Sequence, residues 1–195
     1  RMIDKTFPID ESSFSELNEH TGDEEIEALL KPVLGGNDMG LMSEAGLPGI
    51  ADPGSRLIMA AHKNNVRVIP LSGPSSVLLG LTASGLNGQN FEFHGYLPVK
   101  QPEKDKRIRD LETSAAGGRT QIFIETPYRA QKMLESIIEV CHGDTILCIA
   151  ADITLPSEDI RTMRISQWRK NKPVLNDRLV VFLIGRQASA LKSGI

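Results

Sequence analysis

A loop rich in glycine and proline is the segment of this sequence best suited to bind a small ligand. It covers residues 43–54 and reads SEAGLPGIADPG. The apolar run Met39–Met42 precedes it and predicts a buried strand, and Ser55–His62 follows it and predicts a helix. Open α/β sheets bind ligands where a strand's carboxyl end meets a helix's amino end. Because glycine lets a backbone approach a ligand closely, we expect backbone atoms to form most of this site.

The spacing of the glycines excludes two common nucleotide-binding loops. Residues 43–54 contain neither G-x-x-x-x-G-K-[ST] nor G-x-G-x-x-G. The ligand that the loop predicts is therefore not bound in the manner of a P-loop nucleotide or a classical dinucleotide.

The first half of the chain alternates strand and helix patterns. Thr21 and Glu24 fit a capping box for a helix over 24–34, and Asp52 with Pro53 fits the start of the next helix. The predicted strands are 39–43, 66–71 and 91–96, and the turn 72–75 leads into a helix over 76–83. Short links between such elements predict a mostly parallel sheet with right-handed crossovers.

The second half mixes its elements less regularly, which predicts a mixed sheet. We expect helices over 103–114 and 127–140, strands over 120–125 and 145–150, an antiparallel strand within 158–165 and a central strand over 179–184. The proline-containing stretch 98–103 is a hinge candidate. The sequence thus predicts an α/β protein with domains at residues 1–97 and 98–195.

Composition narrows the class of protein. The chain has 195 residues, is 40% hydrophobic and carries a net charge of −3. Its two cysteines fit no metal spacing, which predicts no metal site, and they suggest no disulfide framework, which predicts a reducing cytoplasm. Residues 1–99 have a charge balance of −7 and residues 100–195 a balance of +4. Such asymmetry fits either a nucleic-acid face on the second half or two ordinary solvated surfaces.

Five motifs in order resemble the tetrapyrrole methylase superfamily of S-adenosylmethionine (SAM)-dependent methyltransferases. They are SEAGLPGIADPG at 43–54, LSGPSS at 71–76, ASGL at 83–86, FEFHGYLP at 91–98 and ETPYR at 125–129. Within that superfamily the pattern is most similar to the ribosomal RNA small subunit methyltransferase I family. The resemblance implies two α/β domains with a cofactor cleft between them, SAM as methyl donor, and a homodimer.

The resemblance also assigns the cofactor side of the site. It implies that SAM contacts the first loop, the second loop and the start of the helix after strand 120–125. The residues carried over are Glu44, Ala45, Gly46, Leu47, Ile50, Gly73, Ser75, Ser76, Glu125, Thr126 and Pro127. For Glu44 the alternative is a brace within the loop, and for Ser75 it is a helix cap.

On the acceptor side the candidates are Tyr96 and Arg129, with His94 beside them. Arg129 suits a phosphate or a carboxylate, or else a surface ion pair. His94 has a side chain suited to proton transfer, although a structural histidine is the preferred interpretation.

A ribose hydroxyl acceptor would need a base, and the sequence does not select one. The candidate carboxylates are Glu125, Asp152 and Glu158. The helix after the hinge carries a basic cluster that either follows an RNA backbone or is a solvated face, because acidic residues interrupt it. Its members are Lys104, Lys106, Arg107 and Arg109.

Three departures from the family pattern bear on function. Glu44 replaces the usual aspartate, and Leu155 ends AADITL where the family tends to have the lysine of R-E-L-T-K. Nothing in residues 1–36 matches the family's first strand and turn, so we expect that first βα unit to be absent from this sequence.

Three functions therefore remain open at the level of sequence. The favoured one is a SAM-dependent methyltransferase of ribosomal RNA, with the small ribosomal subunit as partner, acting on a ribose 2′-hydroxyl. A tetrapyrrole or corrin methylase would need a convergent cluster of Arg or Lys, which the linear sequence does not show. A SAM-binding relative that has lost catalysis fits the departures. No apolar run approaches the length of a membrane span.

Overall fold

A computed structural model describes residues 12–186 of the chain. The chain divides into two compact units, residues 1–73 and 74–195. The beginning of the first predicted domain, residues 1–11, and the end of the second, residues 187–195, lie outside the described residues. No helix within 12–186 combines the length and the apolar character that crossing a bilayer requires.

In the first unit, two helices pack through a small apolar core. These are α1 (Asp23–Leu34) and α2 (Ser55–Lys63), and their contact buries Ile26, Leu30, Leu57 and Ala61. Helix α1 begins one residue earlier than predicted, and the predicted Thr21–Glu24 capping box is wrong. The cap is Gly22, whose backbone N–H donates to Glu25 Oε2 over 2.7 Å.

The predicted start of helix α2 at Ser55 is confirmed, but its predicted Asp52 cap is wrong. Its N-cap is Gly54 with φ 147°, so Asp52 does not cap the helix and Pro53 is not its first residue. A Cβ on Gly54 would lie 2.9 Å from Leu41 Cδ2 and 3.4 Å from the Gly49 backbone nitrogen. The glycine is therefore required by both backbone conformation and space, which overrides the usual Asp-Pro helix start.

The predicted strands 39–43 and 66–71 are wrong for the described residues. Neither segment takes part in a strand ladder, and Met42 and Leu71 are 75% and 82% exposed. A strand forms only when a neighbour accepts and donates its backbone hydrogen bonds. The predicted parallel sheet of the first half is consequently not present within residues 12–73.

The second unit has one open five-stranded sheet with helices on both faces. Its elements are α3 (Ser76–Ser84), β1 (Phe91–Tyr96), α4 (Glu103–Ala116), β2 (Thr120–Glu125), α5 (Pro127–Val140), β3 (Ile146–Ala151), β4 (Asp159–Arg164), α6 (Ile165–Trp168) and β5 (Val180–Gly185). The strand order is β1-β2-β5-β3-β4. Among the described strands, only β1 and β2 pair in parallel, so the sheet is mixed.

The continuous apolar run along β5 explains why helices cover both faces of the sheet. Val180, Phe182 and Ile184 point into the core formed with α4, α5 and α6, whereas Val181 and Leu183 face α3. Side chains of a strand alternate between faces, so a run of apolar residues is buried on both sides. The prediction that this run forms a central strand is confirmed.

The other elements of the second unit follow the sequence closely. The predicted helix over 127–140 and the strands over 91–96 and 120–125 have the predicted bounds, and β4 is antiparallel as expected. The boundary predicted between residues 97 and 98 falls between β1 and β2, two neighbouring strands of one sheet, whereas the compact units divide after Gly73.

Candidate functional site

Most of the candidate residues from the second unit lie at one end of the strands of its sheet. We call this row of strand ends the site edge, which is distinct from an edge strand. This is the edge where β1, β2 and β3 end and where β4 and β5 begin. Val180, at the start of β5, lies opposite both Glu125 and Ala151, and Asp159 also lies opposite Ala151. Because β5 separates β2 from β3, Glu125 and Asp152 are about 10 Å apart, two strand spacings.

Glu125 is a buried carboxylate that organises the start of α5. Its Oε1 accepts hydrogen bonds from the Thr126 backbone N–H at 2.7 Å and from Arg129 Nε at 2.8 Å. Arg129 Nη2 lies 2.6 Å from the same oxygen, and the Glu125 side chain is only 2% exposed. A carboxylate at a helix N-terminus also complements the helix dipole. In this geometry Glu125 braces the loop and is not positioned as a free base.

Arg129 is therefore half of an ion pair, but its partner carboxylate is buried, so the pair differs from the surface ion pair that was one interpretation of its sequence. Its guanidinium also lies over the ring of Tyr128, 5.5 Å from the ring centroid. The side chain remains 23% exposed, so the charge can still reach solvent or a ligand. Arg129 can bind an anion only while sharing its charge with Glu125.

Asp152 is held even more tightly. Its Oδ2 accepts from Arg178 Nε at 2.7 Å and from Ser157 Oγ at 2.9 Å, and its Oδ1 accepts from the Leu179 backbone N–H at 3.1 Å. Burial alone would raise the pKa of Asp152, but these hydrogen bonds outweigh burial and lower the pKa below its ordinary value. Because these contacts favour the ionised form, Asp152 is a weaker general base for a hydroxyl than an ordinary carboxylate.

Glu158 is occupied by its own loop. Its Oε2 accepts the Thr154 backbone N–H at 2.7 Å, and the residue is otherwise exposed. All three candidate bases thus serve the local structure of the site edge, and the geometry selects none of them as a base.

Tyr96 and His94 belong to β1, beside Glu125. Tyr96 ends the strand after a break in register, pairs with Ile124 and is exposed. His94 is largely buried, with Nε2 2.8 Å from Gln121 Oε1 and Nδ1 2.8 Å from Arg107 Nη2. A guanidinium only donates, so Nδ1 accepts and Nε2 carries the proton. Both ring nitrogens are satisfied, which supports the structural interpretation of His94.

The N-terminus of α3 points toward the site edge. Gly80 contacts Ala150 near the end of β3, whereas Leu86, just after the helix, contacts Gly185 at the opposite edge. Ser75 and Ser76 begin the helix and so lie at its site-edge end. Ser75 occupies the N-cap position, but its hydroxyl makes no capping hydrogen bond.

The basic cluster on α4 does not form one surface. Lys104 is buried and Arg107 is bound to His94, which leaves Lys106 and Arg109 exposed. The interpretation as an RNA-tracking face thus rests on two residues rather than four.

The first unit contains the glycine-rich loop 43–54. Glu44, Ala45, Gly46 and Ile50 are exposed, and the backbone is left-handed at Gly46 and Gly49 with φ 79° at each. Ser43 Oγ accepts the Ala45 backbone N–H at 3.2 Å, and the Glu44 side chain makes no brace within the loop. A Cβ on Gly73 would lie 3.2 Å from Leu47 Cδ2, so the second predicted loop contacts the first.

Two cavities among the described residues of the second unit lie away from these residues. Both open at the opposite edge, and the larger, of about 1060 Å³, is lined by residues such as Gly118, His142 and Arg164. The smaller holds about 290 Å³ beside Met163. Neither contains a predicted site residue. Within residues 12–186, no three His, Cys, Asp or Glu side chains are grouped to hold a metal ion.

Comparison with known proteins decides the family. The family model of the tetrapyrrole (corrin/porphyrin) methylases matches residues 4–168. The chain belongs to the tetrapyrrole methylase family. The match includes every motif noted above and most of the second unit's sheet.

Relatives of this tetrapyrrole methylase are named ribosomal RNA small subunit methyltransferase I. The chain is 34% identical over 161 residues to that protein of Vibrio cholerae, covering 83% of this chain and 54% of the relative. It is 37% identical over 145 residues to that of Mesorhizobium japonicum, covering 74% and 48%. The chain spans about half the length of the curated relatives it matches.

A solved structure supports the fold of this tetrapyrrole methylase. The crystal structure of the methyltransferase CobJ superposes with a TM-score of 0.56 at 19% identity, covering 86% of this chain and 72% of that one. At that identity the likeness concerns the fold alone.

Arg178 is the site-edge residue that sequence reasoning missed. It precedes β5 and binds Asp152 and Ser157, which lie more than 20 residues earlier. An isolated arginine before an apolar run carries no local signal of its partner. Only the antiparallel pairing of β3 with β5 brings the two segments together.

Proposed function

We propose that this protein is a SAM-dependent methyltransferase that acts on a ribose 2′-hydroxyl of small-subunit ribosomal RNA. Family membership supports methyl transfer, and the relatives' names support ribosomal RNA as substrate. The observation that carries the proposal is the clustering of residues from separate family motifs: Ser75 and Ser76 of LSGPSS, the end of FEFHGYLP and the start of ETPYR all lie at the site edge.

The cofactor would be held mainly by backbone atoms, for which the residues present are suited. The loop 43–54 exposes Gly46 and its neighbours, and Gly73 packs against Leu47 without a Cβ between them. When bound, SAM supplies an electrophilic methyl group on a sulfonium. The chain's part would be to fix that group's position through Ala45, Leu47 and the Glu125–Pro127 turn.

On the acceptor side, we assign Tyr96 and Arg129 to substrate binding. Tyr96 is an exposed ring that a base can stack on, and Arg129 keeps an exposed part of its guanidinium for a phosphate. Since all three carboxylates are engaged in structural contacts, we ascribe most of the acceleration to alignment and exclusion of water, with the proton of the ribose hydroxyl released to solvent after transfer.

The larger arrangement is proposed on the family resemblance. It comprises two domains that close a cofactor cleft, a homodimer and a cytoplasmic location. Sedimentation of the full-length protein at micromolar concentration tests the dimer, with a monomer mass as the contradicting result.

The decisive experiment measures binding and transfer in sequence. Calorimetry with SAM is followed by transfer of a tritiated methyl group to deproteinised small-subunit RNA, using the full-length protein. We expect binding, transfer, and ribose methylation in the digested RNA. The matched variants are Arg129→Ala, which we expect to lower transfer, and Glu135→Gln, an exposed change further along α5 that we expect to be neutral.

Two results would contradict the proposal in different ways. Absence of SAM binding refutes the cofactor assignment. Binding with transfer to a corrin or porphyrin, but not to RNA, replaces the acceptor.

A relative that binds SAM without catalysis is the second candidate, and one observation favours it. Glu125, Asp152 and Glu158 each accept hydrogen bonds from their own surroundings, so none of these three candidates is positioned as a free base. SAM binding without transfer to either acceptor would support this candidate.

A further inference from the structure

The loop 152–158, which joins β3 to β4 at the site edge, has an unusually constrained backbone. Asp152 and Thr154 have φ values of 53° and 71°, a conformation that non-glycine residues rarely adopt. Inside the loop, the Leu155 N–H donates to the Asp152 carbonyl at 2.9 Å, and the Glu158 N–H donates to the Leu155 carbonyl at 2.9 Å. Such strained positions persist only where surrounding contacts over-determine them.

Arg178 supplies contacts to both ends of this loop. Its Nε donates to Asp152 Oδ2 at 2.7 Å, and its Nη2 donates to the Ser157 carbonyl oxygen. Nη1 lies 3.9 Å from Asp159 Oδ2, at the first residue of β4. One guanidinium thus joins the two ends of the loop.

The next residue fixes the loop to the sheet. The Asp152 N–H donates to the Leu179 carbonyl at 2.8 Å, and the Leu179 N–H donates back to Asp152 Oδ1 at 3.1 Å. We call the contacts of Arg178 and Leu179 with Asp152 and Ser157 the clamp. Val180, the next residue, pairs with both Ala151 and Glu125, so the clamp is one strand away from the Glu125–Arg129 pair.

We propose that Arg178 is a positioning residue that holds loop 152–158 in the conformation needed to receive the RNA acceptor. This inference rests on the proposed function. The loop presents Thr154 and Leu155 as exposed side chains at the site edge. It lies at the same site edge as Tyr96 and Glu125, on the other side of β5.

The chemistry of the clamp requires arginine. Separate N–H groups of the planar Arg178 guanidinium donate to two acceptors, the Asp152 carboxylate and the Ser157 backbone carbonyl. A lysine ammonium retains the charge opposite Asp152 but cannot hold both acceptors in the same geometry. The Arg178→Lys variant should therefore recover part of what Arg178→Ala loses.

The test compares transfer kinetics for Arg178→Ala, Arg178→Lys and a control in the full-length protein. The control is Arg164→Ala, which removes an exposed ion pair to Asp144 at the opposite edge, 2.7 Å long. With deproteinised small-subunit RNA we expect Arg178→Ala to raise the KM for RNA about tenfold, with the SAM Kd changed less than about twofold. Arg178→Lys should fall between, and amide exchange in 152–158 should accelerate only in the Arg178 variants.

The possible results test two separate claims, the positioning role of Arg178 and the proposed function. An RNA KM equal to that of Arg164→Ala overturns the positioning role, as does a loss of SAM affinity as large as the rise in KM. A wild-type protein that transfers no methyl group to RNA refutes the proposed function itself. Because Arg178→Lys retains the charge, its intermediate behaviour keeps the test valid if Arg178→Ala fails to fold.

Discussion

Arg129 approaches Glu125 with two nitrogens, and both meet the same carboxylate oxygen. Nε lies 2.8 Å and Nη2 2.6 Å from Oε1, which also accepts the Thr126 N–H. The pair is therefore a brace across the first turn of α5 rather than a simple surface ion pair. It fixes the turn that we assign to the cofactor.

Replacing Glu125 by Gln should destabilise the protein because the neutral amide leaves Arg129 without its counter-charge. We expect a loss of about 1–3 kcal/mol in the free energy of unfolding, measured by urea denaturation at pH 7. Glu135→Gln, on the exposed face of the same helix, should change it by less than about 0.5 kcal/mol. Equal effects of the two substitutions would show that the brace is not stabilising.

Asp152 should make the stability of the protein depend on acid pH. Its folded pKa is lowered, so the ionised form stabilises the folded state fully above the unfolded pKa of about 3.9. That contribution is lost as pH falls through the lower folded pKa. We expect Asp152→Asn to cost about 1–3 kcal/mol at pH 7 and progressively less below about pH 4.

The measurement compares denaturant unfolding of the two proteins between pH 7 and pH 3. Glu112 also has a lowered pKa: burial raises it, but hydrogen bonds from Thr145 and His142 outweigh burial. Both proteins retain Glu112, so their difference isolates Asp152. A difference that stays constant down to pH 3 would contradict the assignment.

The second unit could be predicted from sequence because its patterns are satisfied locally. The run 179–184 is apolar at every position, and the sheet buries it on both faces. Pro127 marks the start of α5 by its own preference for the first helical position. In such segments, local propensity and tertiary packing favour the same conformation.

The first unit was predicted less well for a physical reason. Segments 39–43 and 66–71 have the composition of strands, but a strand is completed by a neighbour, and none pairs with them among the described residues. At Gly54 the sequence suggested an Asp-Pro helix start, and the contact with Leu41 decided otherwise. The contact between Asp152 and Arg178 likewise has no local signal in the sequence, because it depends on strand order.

Gly54 should be intolerant of any side chain. Its φ of 147° disfavours all residues other than glycine, and a Cβ would meet Leu41 at 2.9 Å. We expect Gly54→Ala to cost about 1–3 kcal/mol, seen as faster amide exchange in α2. Gly40→Ala is the matched control, because a Cβ at Gly40 has nothing within 4 Å. Equal exchange rates in the two variants would contradict the required glycine.

Gly73 should matter for the cofactor more than for the fold. A Cβ there would lie 3.2 Å from Leu47 Cδ2, the mobile end of a side chain, so the fold can adjust by moving Leu47. If Gly73 and Leu47 line the cofactor pocket, that movement displaces a pocket wall. We therefore expect Gly73→Ala to raise the SAM Kd about three- to tenfold by calorimetry, about 1 kcal/mol, with little change in unfolding.

The control for this substitution is Gly88→Ala, where a Cβ meets nothing within 4 Å and which lies beside the larger cavity at the opposite edge. It should bind SAM like the wild type. An unchanged Kd in Gly73→Ala would remove Gly73 from the pocket while leaving the cofactor proposal intact, because the wild-type titration tests that separately. A large loss of stability in Gly73→Ala would instead show that Leu47 cannot move, and that the contact between the two loops is structural.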